Sequence, residues 1–221
     1  MGQGTEYVGS TFCAETQQGK ARQQITIVTL EEANALEFAF TLQIPVPRVH
    51  NALNLPNGTV AITMDYVDGE CLVTVWPSMT DKQKKDTARQ LQQVHDGRRY
   101  TDHTAHPLAN EADFNDFILD LYAATPRAIK AALRKNLTTI HVLKFTHANL
   151  SPRNIIVANG EIVALVDWEY SGWYPQYWEY VKFFECETDC RDWKEYAEDI
   201  FDRQYSDFLV TFQAIARWQK P

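Results

Sequence analysis

The order of elements predicts an α+β fold, with a small sheet near the N-terminus and a larger, mainly helical remainder. Three observations carry that expectation. Short β-branched runs cluster before residue 65, as in Ile25–Val28 and Val60–Met64. Helical periodicity dominates after residue 80, where apolar residues recur every three or four positions. Within the helical part stands one hairpin signal: Ile155–Ala158 and Ile162–Val166, separated by Asn159-Gly160.

Ile25–Val28 reads as a strand, preceded by a polar stretch, residues 1–24, that reads as a frayed terminus. Gly2, Gly4 and Gly9 lack the preceding apolar strand that a phosphate-binding loop needs. Thr29 is placed to cap a helix from Glu31 to Leu42, with Ala35, Leu36, Phe38, Ala39 and Leu42 as its apolar stripe. Ile44-Pro-Val-Pro-Arg-Val49 leaves that helix and enters a strand. Val60–Met64 is the next strand, and Asp65-Tyr66-Val67-Asp68-Gly69-Glu70 an acidic turn after it. Thr80 caps a helix to about His95, and residues 97–108 form a polar connection. Asn110–Tyr122, with Phe114, Phe117, Ile118 and Leu121 on one face, and Pro126–Lys135 are helices. Ile140–Phe145 leads to the hairpin, and Tyr177–Glu185 and Arg191–Trp218 are the last helices.

The chain of 221 residues has 45% hydrophobic and 23% charged residues, ordinary for a soluble globular protein. It has no apolar run of the ~18–20 residues that span a bilayer, and its N-terminus lacks a basic-then-apolar signal. A cytoplasmic protein without membrane partners is the expectation. A net charge of −8 argues against a nucleic-acid partner, which needs clustered Lys and Arg. The four cysteines suggest no disulfide framework and lack zinc-type spacing; Cys186 and Cys190 are read one helical turn apart, and His103 and His106 as solvated.

The hairpin holds two polar loops at a fixed separation. One presents His147, Asn149 and Asn154, the other Asp167 and Glu169. Trp168, Tyr170, Trp173, Tyr174, Tyr177, Trp178 and Tyr180 follow in a dense aromatic run. Most of these rings are expected to pack the turn against the C-terminal helices. Trp168, Trp173 and Tyr177 are the candidates for a wall against a flat or cationic small-molecule substrate.

These loops resemble the aminoglycoside phosphotransferase and choline-kinase-like family, whose pattern H-x-D-x-x-x-x-N supplies a base and a magnesium ligand. His147, Asn149 and Asn154 match its spacing, and Asp167, thirteen residues on, matches the following metal-binding Asp. The segment Trp173-Tyr-Pro-x-Tyr-Trp-Glu-Tyr180 resembles fungal members. The resemblance implies a kinase-like fold: a reduced N-terminal sheet lobe over 1–66 and a larger, mainly helical lobe over 67–221, with the catalytic-loop hairpin at 145–167. Too few residues precede Ile25 for the Gly-rich hairpin and the strand that kinases carry there. The resemblance further implies magnesium on Asn154 and Asp167, adenine against the backbone of Met64, Asp65 and Val67, and Glu32 paired with a phosphate-holding lysine, for which Lys20 is the nearest candidate.

The departure is Asn149, an amide where the family has the base. Losing a positioned general base costs about 10²–10⁴ in rate, or roughly 3–5 kcal/mol of barrier. The favoured reading is a small-molecule site repurposed for a step of biosynthesis other than phosphoryl transfer, using His147, Asn149, Asp167 and Glu169. A phosphotransferase using ATP and Mg²⁺, and a non-catalytic pseudokinase-like binding module, are the alternatives. No cofactor is required by the favoured reading, and the oligomeric state is left open.

Overall fold

The computed structural model describes residues 7–8, 11–12, 14–18, 21–56, 58–95, 110–121 and 125–216. Strands β1 (Tyr7–Val8) and β2 (Thr11–Phe12) form an antiparallel ribbon. β3 (Ala14–Gln18) pairs with β4 (Ala21–Val28), helix α1 (Leu30–Thr41) follows, and β5 (Val49–Asn54) and β6 (Val60–Asp65) complete a sheet of order β3-β4-β6-β5. The expectation of a frayed terminus with no room for strands before Ile25 is therefore corrected. The Ala21–Gln24 half of β4 is polar, so it carries no alternating apolar signal; its backbone pairs with β3, and at Gln23 and Gln24 with β6 as well. Lys20, Cys13, His103, His106 and the whole connection 97–108 lie outside the described residues.

Helix α1 starts where the sequence places it. Thr29 Oγ1 accepts the Glu32 N–H at 3.1 Å, which satisfies one of the free donors of the first turn. It buries Ala33, Leu36 and Ala39 in the same core as Val60, Ile62 and Met64, the inner face of β6. Gln43, at φ 60°, ends it in a left-handed residue.

The helical part begins with β7 (Glu70–Cys71), α2 (Leu72–Val75) and α3 (Asp81–His95). Thr80 and Gln83 form a reciprocal cap at the start of α3, each accepting the other's backbone N–H. Helices α4 (Glu111–Leu121) and α5 (Arg127–Asn136) follow. Phe117 is half exposed, so it leaves the inward stripe read for α4. Then come β8 (Leu143–Thr146), β9 (Ile155–Ala158), β10 (Glu161–Leu165), β11 (Gly172–Pro175), α6 (Trp178–Glu185), α7 (Ala197–Ile200) and α8 (Ser206–Ala216). The single helix expected over 191–218 is thus a 3-10 turn at Trp193–Tyr196 and two helices. The chain breaks at Phe201, whose extended backbone follows Ile200 into the core. Cys186 caps the end of α6, so it does not share a helix with Cys190.

Two ribbons position the site. The β9–β10 hairpin closes through Asn159 and Gly160, at φ 53° and 83°, the two-residue turn expected from the sequence. A second pairing, β8 with β11, was not legible: Phe145 lies opposite Trp173 and Thr146 opposite Gly172. The loop 147–154 runs from β8 to β9, and the loop 166–171 from β10 to β11. Pairing at both ends therefore clamps the two loops side by side.

One core runs through both parts of the fold, from Leu36 and Ile62 through Leu72 and Ile155 to Trp168 and Trp193. A second gathers Phe114, Leu133, Tyr177 and Phe212 among α4, α5, α6 and α8. Between the sheet lobe and the helical lobe, the chain passes so close to β9 that a Cβ on Gly69 would lie 2.8 Å from both Ile156 Cγ2 and Val157 O. The carbonyl belongs to a paired strand and cannot retreat. Gly69→Ala is expected to cost about 1–3 kcal/mol, as overpacking does, read as a fall in the urea midpoint with an unchanged slope.

Candidate active site

The first loop is held from below by a carboxylate. Glu179, on α6 and 4% exposed, accepts the N–H of His147 at 2.8 Å and of Ala148 at 2.9 Å. Ala148 sits at φ 62°, a left-handed conformation that costs a non-glycine residue about 1 kcal/mol or more. The two charge-assisted bonds hold it there. Burial pushes the Glu179 carboxyl up to about 7, while the two N–H donors pull the other way. Sequence reading missed Glu179; the available signal was an acid set between Trp178 and Tyr180 at the start of α6.

His147 is buried and both ring nitrogens are used. Nε2 lies 3.0 Å from Val166 O, and Nδ1 accepts the Asn149 N–H at 3.2 Å. Burial lowers its pKa to about 4, so it is a neutral imidazole. The expected catalytic part for His147 is corrected: it ties the first loop to the second and presents no free nitrogen to a ligand.

The second loop turns at Asp167, φ 67°. Asn149 Nδ2 donates to Asp167 Oδ2 at 3.1 Å, and Asn154 makes a second side-chain bond to the same carboxylate. Asn154 Nδ2 also donates to Asn149 O at 2.9 Å. Opposite Asp167, the Cys186 thiol donates to Asn149 Oδ1 at 3.4 Å. Asn149 is thus fixed at both ends, its oxygen on a thiol and its nitrogen on a carboxylate. Cys186 had no sequence signal, since the chain brings it in from beyond α6.

The cleft carries more carboxylates than the two loops alone provide. Glu32 reaches in from α1 and accepts the Trp168 N–H. Its pKa rises to about 7, through burial first and then the charges of Asp167 and Glu169. Asp167 is raised as well, by burial and then Glu169, against the lowering bond from Asn154 and the charge of Arg153. Glu169 stands exposed at the rim.

Other expected contacts are redistributed. Asp65 turns toward β5: its N–H donates to Arg48 O at 3.0 Å and its carboxylate meets His50 at 2.6 Å. Its N–H is therefore not available to an adenine edge. Met64 is buried in the sheet and Val67 is half-buried in the connection that follows. Trp168, at 1% exposure, stacks on Phe145 and packs against His147. Tyr177, at 0%, stacks on Phe208. Neither presents a ring to a ligand, because both plug the floor beneath the loops. Trp173 is half-buried and joins Phe38 of α1 to Phe145 of β8.

The chain belongs to the phosphotransferase enzyme family (APH), whose profile matches residues 23–218. The comparison with curated proteins gave no significant match. Among solved structures, it is similar to an aminoglycoside-3'-phosphotransferase of type VIII, with TM-score 0.64 and 16% identity over 93% of this chain and 88% of that one. A thermostable mutant of aminoglycoside phosphotransferase APH(4)-Ia, in ternary complex with ADP and hygromycin B, gives TM-score 0.67 and 12% identity over 97% and 83%. A choline/ethanolamine kinase family protein from Mesorhizobium loti gives 0.60 and 15% over 97% and 76%. At these identities the likeness establishes the fold.

Proposed function

We propose that this member of the family binds a small molecule in the cleft between its two parts and serves a step of small-molecule metabolism other than phosphoryl transfer. One observation carries the reading. At the position of the base, Asn149 spends its amide on Asp167 and its oxygen on Cys186. An amide does not take a proton from a hydroxyl near neutral pH. The proton-transfer groups of this cleft are instead Glu32, poised near 7, and Asp167 with Glu169 beside it. Such carboxyl groups suit proton transfer to or from a bound small molecule.

A second reading, a phosphotransferase using ATP and Mg²⁺, draws on one observation. The side-chain amide of Asn154 meets the Asp167 carboxylate, so the two residues spaced as the family's metal ligands stand together. An amide oxygen and a carboxylate suit a hard divalent cation, which when bound supplies charge to polarise a ligand oxygen. The relative crystallised with ADP and hygromycin B shows that the fold accommodates both kinds of molecule.

The two readings separate in a thermal-shift titration. Under the proposed function, millimolar Mg-ATP leaves the unfolding temperature of the wild type within about 1 °C, near the behaviour of Asp167→Ala with the same ligand. A shift of several degrees that Asp167→Ala abolishes overturns it in favour of the phosphotransferase; stabilisation at saturating ligand grows as RT ln(1 + [L]/Kd).

A further inference from the structure

The tip of the β9–β10 hairpin carries two groups that can react with each other. Asn159 and Gly160 are both exposed and make the two-residue turn, at φ 53° and 83°. Gly160 has no side chain to shield its amide nitrogen, and even a Cβ there would find no neighbour within 4 Å. A bond from Gly160 N to Asn159 Cγ closes a five-membered ring. Two groups held so near in one chain react far faster than the same groups free in solution.

Helix α3 holds the turn against that closure. Gln90 Nε2 donates to Gly160 O at 2.9 Å, and Gln90 Oε1 accepts the Ile162 N–H at 2.9 Å. Both bonds fix peptide units just beyond the one that reacts. Bringing Gly160 N onto Asn159 Cγ rotates the peptide plane between the two residues out of the left-handed turn, so the bonds oppose it. The chain holds one other Asn-Gly pair, Asn57-Gly58. There the Gly58 N–H donates to Leu55 O at 3.0 Å, and among the described residues Gln90 bonds nothing in that turn.

We propose that Asn159-Gly160 is a site of self-modification, an intramolecular deamidation whose rate the Gln90 clamp sets. Gly160 N gives up its proton and bonds to Asn159 Cγ. The Cγ–Nδ2 bond breaks, and Nδ2 leaves as ammonia with that proton. Water then opens the resulting succinimide, its hydroxyl going to a ring carbonyl carbon and its hydrogen to the Gly160 nitrogen. Opening at Cγ leaves aspartate. Opening at the backbone carbonyl leaves isoaspartate, whose main chain runs through Cβ and Cγ and is one atom longer. A two-residue turn cannot absorb that atom. The Ala158–Glu161 pair beside the turn is displaced, and with it the ribbon that clamps loops 147–154 and 166–171. Deamidation thus ages the candidate site from the far end of its hairpin, whatever reaction the site performs.

Peptide mapping of the full chain, aged in mildly alkaline buffer, tests this. The expected result is that the peptide holding Asn159 gains the mass difference between an NH₂ and an OH group and becomes a substrate for an isoaspartate methyltransferase. Gln90→Ala speeds conversion at Asn159 about tenfold, as the loss of two hydrogen bonds of ordinary worth does when local opening limits the rate. Gln90→Glu, which keeps the acceptor for Ile162 but loses the donor to Gly160, falls between the two. Conversion at Asn57 keeps its wild-type rate in both variants. An Asn159 that stays intact while Asn57 converts, a wild-type rate in Gln90→Ala, or equal acceleration at both asparagines each overturns the assignment.

Discussion

Glu179→Ala is expected to lower the free energy of unfolding by about 2–4 kcal/mol. Its carboxylate is the acceptor for two buried N–H groups, at 2.8 and 2.9 Å, and each loses its partner at once. An unsatisfied buried donor costs about 1–3 kcal/mol, and part is returned because a buried carboxyl no longer has to be desolvated. Ala148 at φ 62° then has nothing holding it in a left-handed conformation, so the loop bearing Asn149 relaxes. Glu179→Gln keeps one acceptor and turns an NH₂ toward the other N–H, which places it between wild type and alanine. Urea unfolding of the three proteins checks the order; an alanine variant within about 0.5 kcal/mol of wild type removes Glu179 from its role as the support of the loop.

The same carboxyl sets a pH dependence. Glu179 and Glu32 titrate near 7 in the folded protein, against 4.5 for an ordinary glutamate. The native state therefore binds more protons between those values, and their stabilisation, complete below about 4.5, is lost as pH rises through 7. His147 runs the other way: with its pKa lowered to about 4 from 6.5, the unfolded state binds the extra proton, and stability is lost as pH falls through that window. From pH 6.5 to 7 the unfolded chain holds half of the His147 proton or less, and the two glutamates outweigh it, so stability declines there. Glu179→Gln should flatten that decline, whereas a variant with the wild-type slope would mean that Glu179 ionises as it does when unfolded.

Asn149→Asp is expected to destabilise the protein by about 2–3 kcal/mol at pH 7.5 without divalent cations. The substitution sets a second carboxylate against Asp167 Oδ2, 3.1 Å from the amide nitrogen it replaces. Glu169 and Glu32 already crowd the same region with negative charge. Two carboxylates at that distance share one proton, and the pair's upper apparent pKa rises. The loss should therefore shrink toward pH 5, and Mg²⁺ should stabilise the variant more than the wild type. Urea unfolding at the two pH values, with and without Mg²⁺, measures both effects. A variant as stable as wild type at pH 7.5 without Mg²⁺ would show that the amide–carboxylate contact is not what holds the two loops together. If the variant also gains ATPase activity, the chain descends from a phosphotransferase that lost its chemistry with the base.

The sequence alone determined the local events of this fold. Thr29 and Thr80 as caps, Asn159-Gly160 as a two-residue turn and the amide at 149 all rest on one to four neighbouring residues. Turn chemistry, capping and side-chain type are local properties that composition exposes directly. The spacing of Asn149, Asn154 and Asp167 likewise announced that two loops meet, because a tight hairpin fixes the distance between its flanks.

Tertiary structure alone decided what those residues do. His147 became a strut and Trp168 a plug because burial spends a side chain's polar atoms and faces on its neighbours, and burial is not written at one position. Glu179, Cys186 and Glu32 reach the same loops from 32, 37 and 117 residues away from Asn149 or His147 along the chain. The β8–β11 pairing joins residues 26 to 32 positions apart through backbone bonds that no side chain signals. Such contacts arise only when the whole chain has packed, and they decide which carboxyl groups stay charged.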